Sequence, residues 1–207
     1  MRTILATGGM GYIGSHTCVE LLLKGYNVIL FDSLINSSRY IVDNIIKIVA
    51  NYNSEFSKNF TFIKGDIRNY KLLNEVFRDA SESKNKIDAV LHFSGLKSVN
   101  DSFLKPLEYW EVNVCGTTNL LKLMQNYFCN YLVFSSSATI YSKDTISPIG
   151  ENAKIEPINP YGNTKAAVEK MLDDFYNSKR DEISIACLRY FNPIGAHSSG
   201  LLGEQPN

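Results

Sequence analysis

Tyr161 and Lys165 stand four residues apart in Asn159-Pro160-Tyr161-Gly162-Asn163-Thr164-Lys165. On a helix this spacing puts a phenol and an ammonium on one face. A cation beside a phenol favours the phenolate, so the pair is a candidate general base near neutral pH. Of the twelve tyrosines in the chain, Tyr161 alone has a lysine four residues on. Ser135-Ser136-Ser137, directly after the apolar run Tyr131–Phe134, adds hydroxyls that could bond a substrate oxygen and hand its proton to the phenolate. Without Tyr161 and Lys165 the serines would read as an ordinary polar turn.

A second constellation lies at the start of the chain. Thr7-Gly8-Gly9-Met10-Gly11-Tyr12-Ile13-Gly14 follows an apolar run and opens a helical pattern. Gly8, Gly11 and Gly14 are spaced for a tight strand-to-helix turn, for bare backbone against a pyrophosphate, and for close packing of helix on sheet. The helix N-terminus offers free N–H groups to phosphate oxygens. Asp32, at the end of the next apolar run, is placed to accept hydrogen bonds from an adenosine ribose. A carboxylate there repels a 2′-phosphate, which favours NAD over NADP. Asp66, after Lys64-Gly65, lies where a contact to the adenine edge is expected, and serves equally well as a helix N-cap.

These groups need a scaffold, and the hydrophobic pattern supplies one. Short apolar runs at Thr3–Ala6, Asn27–Phe31, Phe60–Ile63, Ile87–His92, Tyr131–Phe134 and Ile183–Leu188 read as strands buried on both faces. Stretches with helical spacing separate them: Ile13, Cys18, Leu21 and Leu22; Ile41, Ile45, Ile48 and Tyr52; Leu72, Val76 and Phe77; Leu120, Leu123 and Met124; Val168, Met171, Leu172 and Phe175. The alternation predicts an α/β fold with a doubly wound parallel sheet, ligands binding at the carboxyl ends of the strands. Asn51–Asn59 is polar and reads as a loop. After Tyr190 the pattern lapses and no further core-forming element is expected.

Composition narrows the function classes. With 207 residues, 44% of them hydrophobic, the chain is long enough for a large core. Its 21 basic and 21 acidic residues balance, so no field is available for nucleic acid or an anionic membrane. No stretch approaches the ~18 consecutive apolar residues of a membrane span, and the apolar start is too short for a signal-peptide core. Cys18, Cys115, Cys129 and Cys187 are scattered, three of them among apolar neighbours. They read as small core residues, with no metal site and no disulfide, which fits a reducing cytoplasm.

Taken together the motifs resemble the extended short-chain dehydrogenase/reductase family, and within it the UDP-glucose 4-epimerases. The resemblance rests on TGGMGYIGSH (Thr7–His16), GDIR (Gly65–Arg68), HFSGLK (His92–Lys97), PLEY (Pro106–Tyr109), SSSATIY (Ser135–Tyr141), PYGNTK (Pro160–Lys165) and LRYFNPIGAH (Leu188–His197). It implies Tyr161 as base, Lys165 as its electrostatic partner and nicotinamide-ribose ligand, and Ser137 as the contact to the sugar 4-hydroxyl. It implies NAD contacts at Gly8, Gly11, Tyr12, Ile13, Gly14, Asp32, Asn36, Ser37, Asp66, Ile67, Phe93, Gly95, Lys97, Asn113, Ser135 and Tyr190, besides Tyr161 and Lys165. It implies substrate contacts at Lys97, Ser137, Thr139, Tyr161 and Asn192.

The reaction so implied is redox-neutral interconversion of UDP-glucose and UDP-galactose: hydride leaves C4 for NAD and returns to the opposite face. Dehydratases of the same family carry an Asp-Glu pair in the serine/threonine loop, where this chain has Ala138-Thr139-Ile140. An NAD-binding module without activity has no need of Ser137, Tyr161 and Lys165 together, though a shortened chain could bind NAD and turn nothing over. Ser94, Asn100-Asp101, Cys115 and Ser142 depart from the family pattern, and none removes a catalytic group. The resemblance further implies an NAD-binding Rossmann domain over 1–190, with 191–207 the incomplete start of a substrate-binding region. It also implies a homodimer through helices around Lys105–Tyr127 and Thr164–Asn177.

Overall fold

A computed structural model of the protein describes residues 1–83, 85–180 and 182–204. All six expected strands form: β1 (Thr3–Thr7), β2 (Asn27–Asp32), β3 (Phe60–Lys64), β4 (Ile87–His92), β5 (Tyr131–Ser137) and β6 (Ser184–Tyr190). They pair in parallel in the order β3-β2-β1-β4-β5-β6. This is the doubly wound arrangement. The order reverses between β1 and β4, so the loops leaving these two strands diverge and open a crevice at their carboxyl ends.

Helices cover both faces. On one lie α1 (Tyr12–Leu23) and α2 (Tyr40–Tyr52). Cys18, Val19, Leu22, Ile45, Ile48 and Val49 pack there against Ala6, Val28 and Leu30. On the other lie α3 (Tyr70–Glu82), α4 (Val99–Leu104), α5 (Pro106–Tyr109), α6 (Gly116–Asn126) and α7 (Pro160–Ser178). Leu73, Val76, Phe77, Leu120, Leu123, Met124, Val168 and Leu172 close that core over Leu5, Val90 and Phe134. Burying one such side chain contributes ~1.5–3 kcal/mol. β1 is buried along its whole length because it sits mid-sheet between the two layers.

The starts of the helices follow local chemistry. Pro160 occupies the first turn of α7, where its missing N–H costs nothing, and the Asn159 side chain accepts from the Gly162 N–H at 2.7 Å. The cap of α3 is Asn69, whose Oδ1 accepts from Leu72 N at 3.1 Å. Asp66 is therefore not the cap, which removes that reading of it.

Three expectations need correction. Asn51–Asn59 is not a loop: α2 runs to Tyr52 and a 3-10 helix covers Ser54–Asn59. Asn53 caps that turn by accepting from Glu55 N, and Lys58 pairs with Glu55 at 2.8 Å. Tyr52 is exposed rather than core. Two cysteines are buried, not three: Cys18 and Cys129 lie inside, Cys115 and Cys187 outside. As expected, no further helix or strand follows Tyr190 among the described residues, though one side chain reaches the core: Leu202 is buried among Val28, Ile48 and their neighbours, and Asn44 Nδ2 donates to the Leu201 carbonyl at 2.9 Å. Residues 205–207 of the expected 191–207 region lie outside the described residues.

The helix expected around Lys105–Tyr127 is continuous but not uniform. Between α5 and α6, Trp110–Cys115 winds as a π-helix. Such turns insert a residue into the α-helical register and cluster at functional sites. This one carries Asn113.

Candidate active site

The glycine loop joins β1 to α1 beneath the loop that leaves β4. Gly8 has φ +69, and a Cβ there would sit 2.4 Å from the Ser94 backbone nitrogen. A Cβ on Gly14 would lie 2.7 Å from the Gly8 carbonyl oxygen and from Gly9 Cα. Both positions are thus closed to any side chain, one by backbone conformation and contact, the other by helix–loop packing. Gly11 is the N-cap of α1, no side chain caps the helix, and its first turn carries no acid. The N–H groups and the positive dipole end therefore face the crevice without a competing carboxylate.

Asp32, the last residue of β2, is buried. It accepts from Met10 N at 2.9 Å, Leu34 N at 2.8 Å and the Ser37 hydroxyl at 3.1 Å. A carboxylate has about four lone-pair sites, so three internal donors leave room for about one more. It fastens the glycine loop to the loop after β2, and Asn36 stands exposed beside Ser37 in that second loop. Asp66 lies at the end of β3 and holds Arg68 with contacts of 2.6–3.2 Å. The Arg68 hydrogen bond keeps its carboxyl below the usual range. Ile67 is buried with Gly116 against it; a Cβ at Gly116 would meet Ile67 Cγ2 at 2.4 Å. The Ile67 side chain is occupied by packing, which leaves its backbone for any ligand.

The loop after β4 contains Phe93, Gly95 and Lys97. Phe93 N donates to the Thr7 carbonyl at 2.8 Å, tying this loop to the glycine loop. Asn113, from the π-helix, accepts from Leu96 N at 2.8 Å and donates to Leu96 O and to Thr164 Oγ1. Its amide is spent inside the chain, holding the loop against α7. Lys97 is exposed and pairs with Glu204 at 3.3 Å. Tyr12 donates to the Gly195 carbonyl at 2.6 Å, while Ile13 follows it in α1. Asn192 is exposed, between Tyr190 at the end of β6 and that anchored segment.

Tyr161 and Lys165 share one face of α7, both in the interior at 9% and 5% exposure. The Lys165 ammonium donates to the Ser135 carbonyl at 2.7 Å. It also lies 4.8 Å from the centre of the Phe134 ring and 5.9 Å from that of Tyr161. Ser137 accepts from Thr139 N and Thr139 Oγ1. Burial holds the Tyr161 phenol above the ordinary phenol range, and hydrogen bonding to Ser137 pulls it the other way. This corrects the expectation of a phenol lowered by its ammonium: in the folded chain desolvation is the larger effect. Burial likewise brings Lys165 down from 10.5 to about 8, with the charge of Glu169 opposing.

Several groups escaped the sequence reading. Tyr109 packs edge-on to Tyr161, ring centres 6.4 Å apart, with its hydroxyl donating to the Ser98 carbonyl. His92 is buried between Thr7 Oγ1 at 2.6 Å and Thr117 Oγ1 at 2.8 Å. Burial, then the charge of Lys165, lowers it to about 3, so it is neutral at physiological pH. Glu169, one helical turn beyond Lys165, binds Arg189 and Ser136. Only its spacing from Lys165 hinted at a role.

The sequence matches the family model described as GDP-mannose 4,6 dehydratase over residues 5–206. The chain is 45% identical over 206 residues to UDP-glucose 4-epimerase 2 of Oryza sativa subsp. japonica, covering 100% of this chain and 48% of the relative. It is 44% identical to UDP-glucose 4-epimerase of Bacillus subtilis, over 99% of this chain and 56% of that protein. The chain thus spans about half the length of the curated relatives it matches. Among solved structures, that of UDP-glucose 4-epimerase from Stenotrophomonas maltophila with bound NAD and formylated UDP-arabinopyranose superposes with a TM-score of 0.90. Identity there is 42%, over 100% of this chain and 58% of that one. The resemblance read from the motifs is borne out, and with a family model spanning nearly every residue of this doubly wound fold, the chain belongs to the GDP-mannose 4,6 dehydratase family.

Proposed function

We propose that this chain is the cofactor-binding and catalytic part of an NAD-dependent epimerase that interconverts UDP-glucose and UDP-galactose. The carrying observation is the buried grouping of Tyr161, Lys165 and Ser137 at the carboxyl end of β5, the ammonium fixed on the Ser135 carbonyl. The names of the relatives, and the NAD and UDP-sugar derivative bound by the Stenotrophomonas protein, support the same reading.

The residues fit NAD. Gly8 and Gly14 leave no Cβ where the loop must stay thin, α1 presents an uncapped N-terminus, and Asp32 retains acceptor capacity for a ribose hydroxyl. Further cofactor contacts are proposed at Gly11, Tyr12, Ile13, Asn36, Ser37, Asp66, the Ile67 backbone, Phe93, Gly95, Lys97, Ser135 and Tyr190, with Asn113 acting through the Leu96 loop. When bound, NAD supplies the hydride acceptor and a positive charge that favours the phenolate. Tyr161 takes the proton of the 4-hydroxyl, Ser137 holds that hydroxyl in reach, and Lys165 stabilises the phenolate while bonding the ribose. Thr139 orients Ser137, and Lys97 and Asn192 contact substrate.

The family description raises dehydration as a second reading. Elimination needs a free acid beside the sugar, and Ala138–Ile140 supplies none. The carboxylates bonded to this wall are engaged: Glu169 by Arg189 and Ser136, Glu156 by Ser142 and Lys154. Epimerisation is therefore favoured. For the whole protein we propose a cytoplasmic homodimer. The exposed Phe103, Leu104, Leu107 and Trp110 near the start of the Lys105–Tyr127 helix, with Tyr176 on α7, support the dimer face. The four free thiols support the compartment. No helix among the described residues is long and apolar enough to cross a membrane.

The test uses the full-length protein, following UDP-glucose and UDP-galactose by NMR. Tyr161→Phe should retain NAD and lose ~10²–10⁴-fold in rate, the usual cost of a general base. Near-normal turnover would remove Tyr161 from the role; release of a 4-keto-6-deoxy sugar would establish dehydration instead.

A further inference from the structure

Glu169 gathers more of the site wall than any residue assigned above. It lies on α7 at i+4 from Lys165 and i+8 from Tyr161, so the three share one helical face. Its carboxylate takes a forked contact from Arg189: Nε at 3.0 Å to one oxygen and Nη2 at 2.7 Å to the other. It also accepts from the Ser136 hydroxyl, between the two serines of the site. Arg189 stands on β6 beside Tyr190. Its Nη1 donates to the Tyr141 hydroxyl at 3.0 Å and to the Glu151 carbonyl at 2.6 Å. One ion pair thus joins α7, the end of β5, the loop beyond it and the end of β6.

We propose that Glu169, locked by Arg189, is a positioning residue for the Tyr161–Lys165 pair, seating the serine wall through Ser136 and setting a fixed carboxylate one helical turn from the Lys165 side chain. This rests on the epimerase reading for its catalytic consequence, though not for its physical content. The pair is nearly enclosed, side-chain exposure being 9% for Glu169 and 20% for Arg189. A buried forked pair of this kind is weak evidence of stability, because desolvation offsets attraction. Its value here is geometric and electrostatic. The groups around Lys165 are Tyr161 and Glu169 from α7, His92 from β4, and the Ser135 carbonyl and Phe134 ring from β5. His92 is neutral and Tyr161 protonated at rest, so Glu169 is the anion acting on Lys165. Burial works against the ammonium and Glu169 works for it. Arg189 fixes that carboxylate through its forked contact.

The experiment titrates Lys165 by NMR of ¹³Cε-labelled lysine in the whole chain, its resonance identified by loss in Lys165→Met. The expected midpoint is near 8. In Glu169→Gln, which keeps the shape and an acceptor for Ser136, it should fall by at least about half a unit, a threefold or greater loss of ammonium in the alkaline range. In the full-length enzyme the alkaline limb of kcat should move down by the same amount. Ser136→Ala should instead lower kcat several-fold with midpoint and pH profile unmoved. If Glu169→Gln does not fold, the double variant Glu169→Gln/Arg189→Gln leaves no unpaired charge and should show the same fall. A midpoint unmoved in a folded variant overturns the proposal, whatever the activity. Absence of epimerisation in the parent enzyme would sink the epimerase reading and leave the midpoint test standing.

Discussion

Replacing Lys165 by methionine should make the chain more stable while stopping its chemistry. Methionine keeps the length of the side chain and removes the charge. The folded pKa falls from 10.5 to about 8; at about 1.4 kcal/mol per unit, the buried ammonium then costs about 3 kcal/mol at pH 7. The substitution also removes the donor to the Ser135 carbonyl, which costs ~1–3 kcal/mol if that oxygen finds no other partner. A net gain of about 1 kcal/mol at pH 7 is expected. The sign with pH is specific. Between about 8 and 10.5 the unfolded chain holds the Lys165 proton and the folded chain does not, so parent stability rises with pH across that window. The methionine variant lacks this contribution, and its advantage should shrink and reverse between pH 7 and pH 10. Urea unfolding of both chains at each pH measures it, and the difference cancels every other titrating group. An advantage that stays constant with pH would refute the idea that Lys165 is held charged against burial.

Other substitutions probe the cofactor half. Asp32→Ala should narrow the preference for NAD over NADP, measured as a ratio of dissociation constants; it should also loosen Met10 and Leu34 and lower the unfolding midpoint. Gly14→Ala puts a methyl 2.7 Å from the Gly8 carbonyl and should abolish NAD binding by isothermal titration, with the far-UV spectrum retained. Asn113→Leu strips both partners from Leu96 and should destabilise the chain by ~1–3 kcal/mol in urea, since two half-buried backbone groups lose their partners. A loss below 1 kcal/mol would mean that the loop finds other partners.

Much of this was written in local patterns. Each strand is a run of apolar residues, and a parallel sheet buries such runs on both faces, so periodicity sufficed to find all six. The glycine loop, Asp32, Ser137 and the Tyr161–Lys165 pair were legible because each is a spacing within one turn or one strand end. What stayed hidden depends on long-range approach. Glu169 reads as a helix-surface acid until β6 brings Arg189 against it. Asn113, singled out only by the resemblance, reads by itself as a polar helix residue until the π-turn brings it onto Leu96. The sign of the shift on Tyr161 could not be read either, because it depends on how deeply α7 is buried rather than on its own spacing. Asn53, a short polar residue, captured the Glu55 N–H and coiled a stretch whose composition suggested open chain.

The winding at Trp110–Cys115 also sets a tolerance for length. An α-helix advances about 100° per residue, so one surplus residue leaves the segment before the turn facing a different direction from α6 after it. Removing a single amino acid between 110 and 115 would not break this rod. It would restore ordinary coiling, keep Leu120, Leu123 and Met124 in their core, and rotate the Pro106–Tyr109 end away from the Tyr161 ring. The core beneath α6 would keep its packing, and the cost would fall on the site wall, where buried Tyr109 leaves the Tyr161 ring and Asn113 leaves the Leu96 loop.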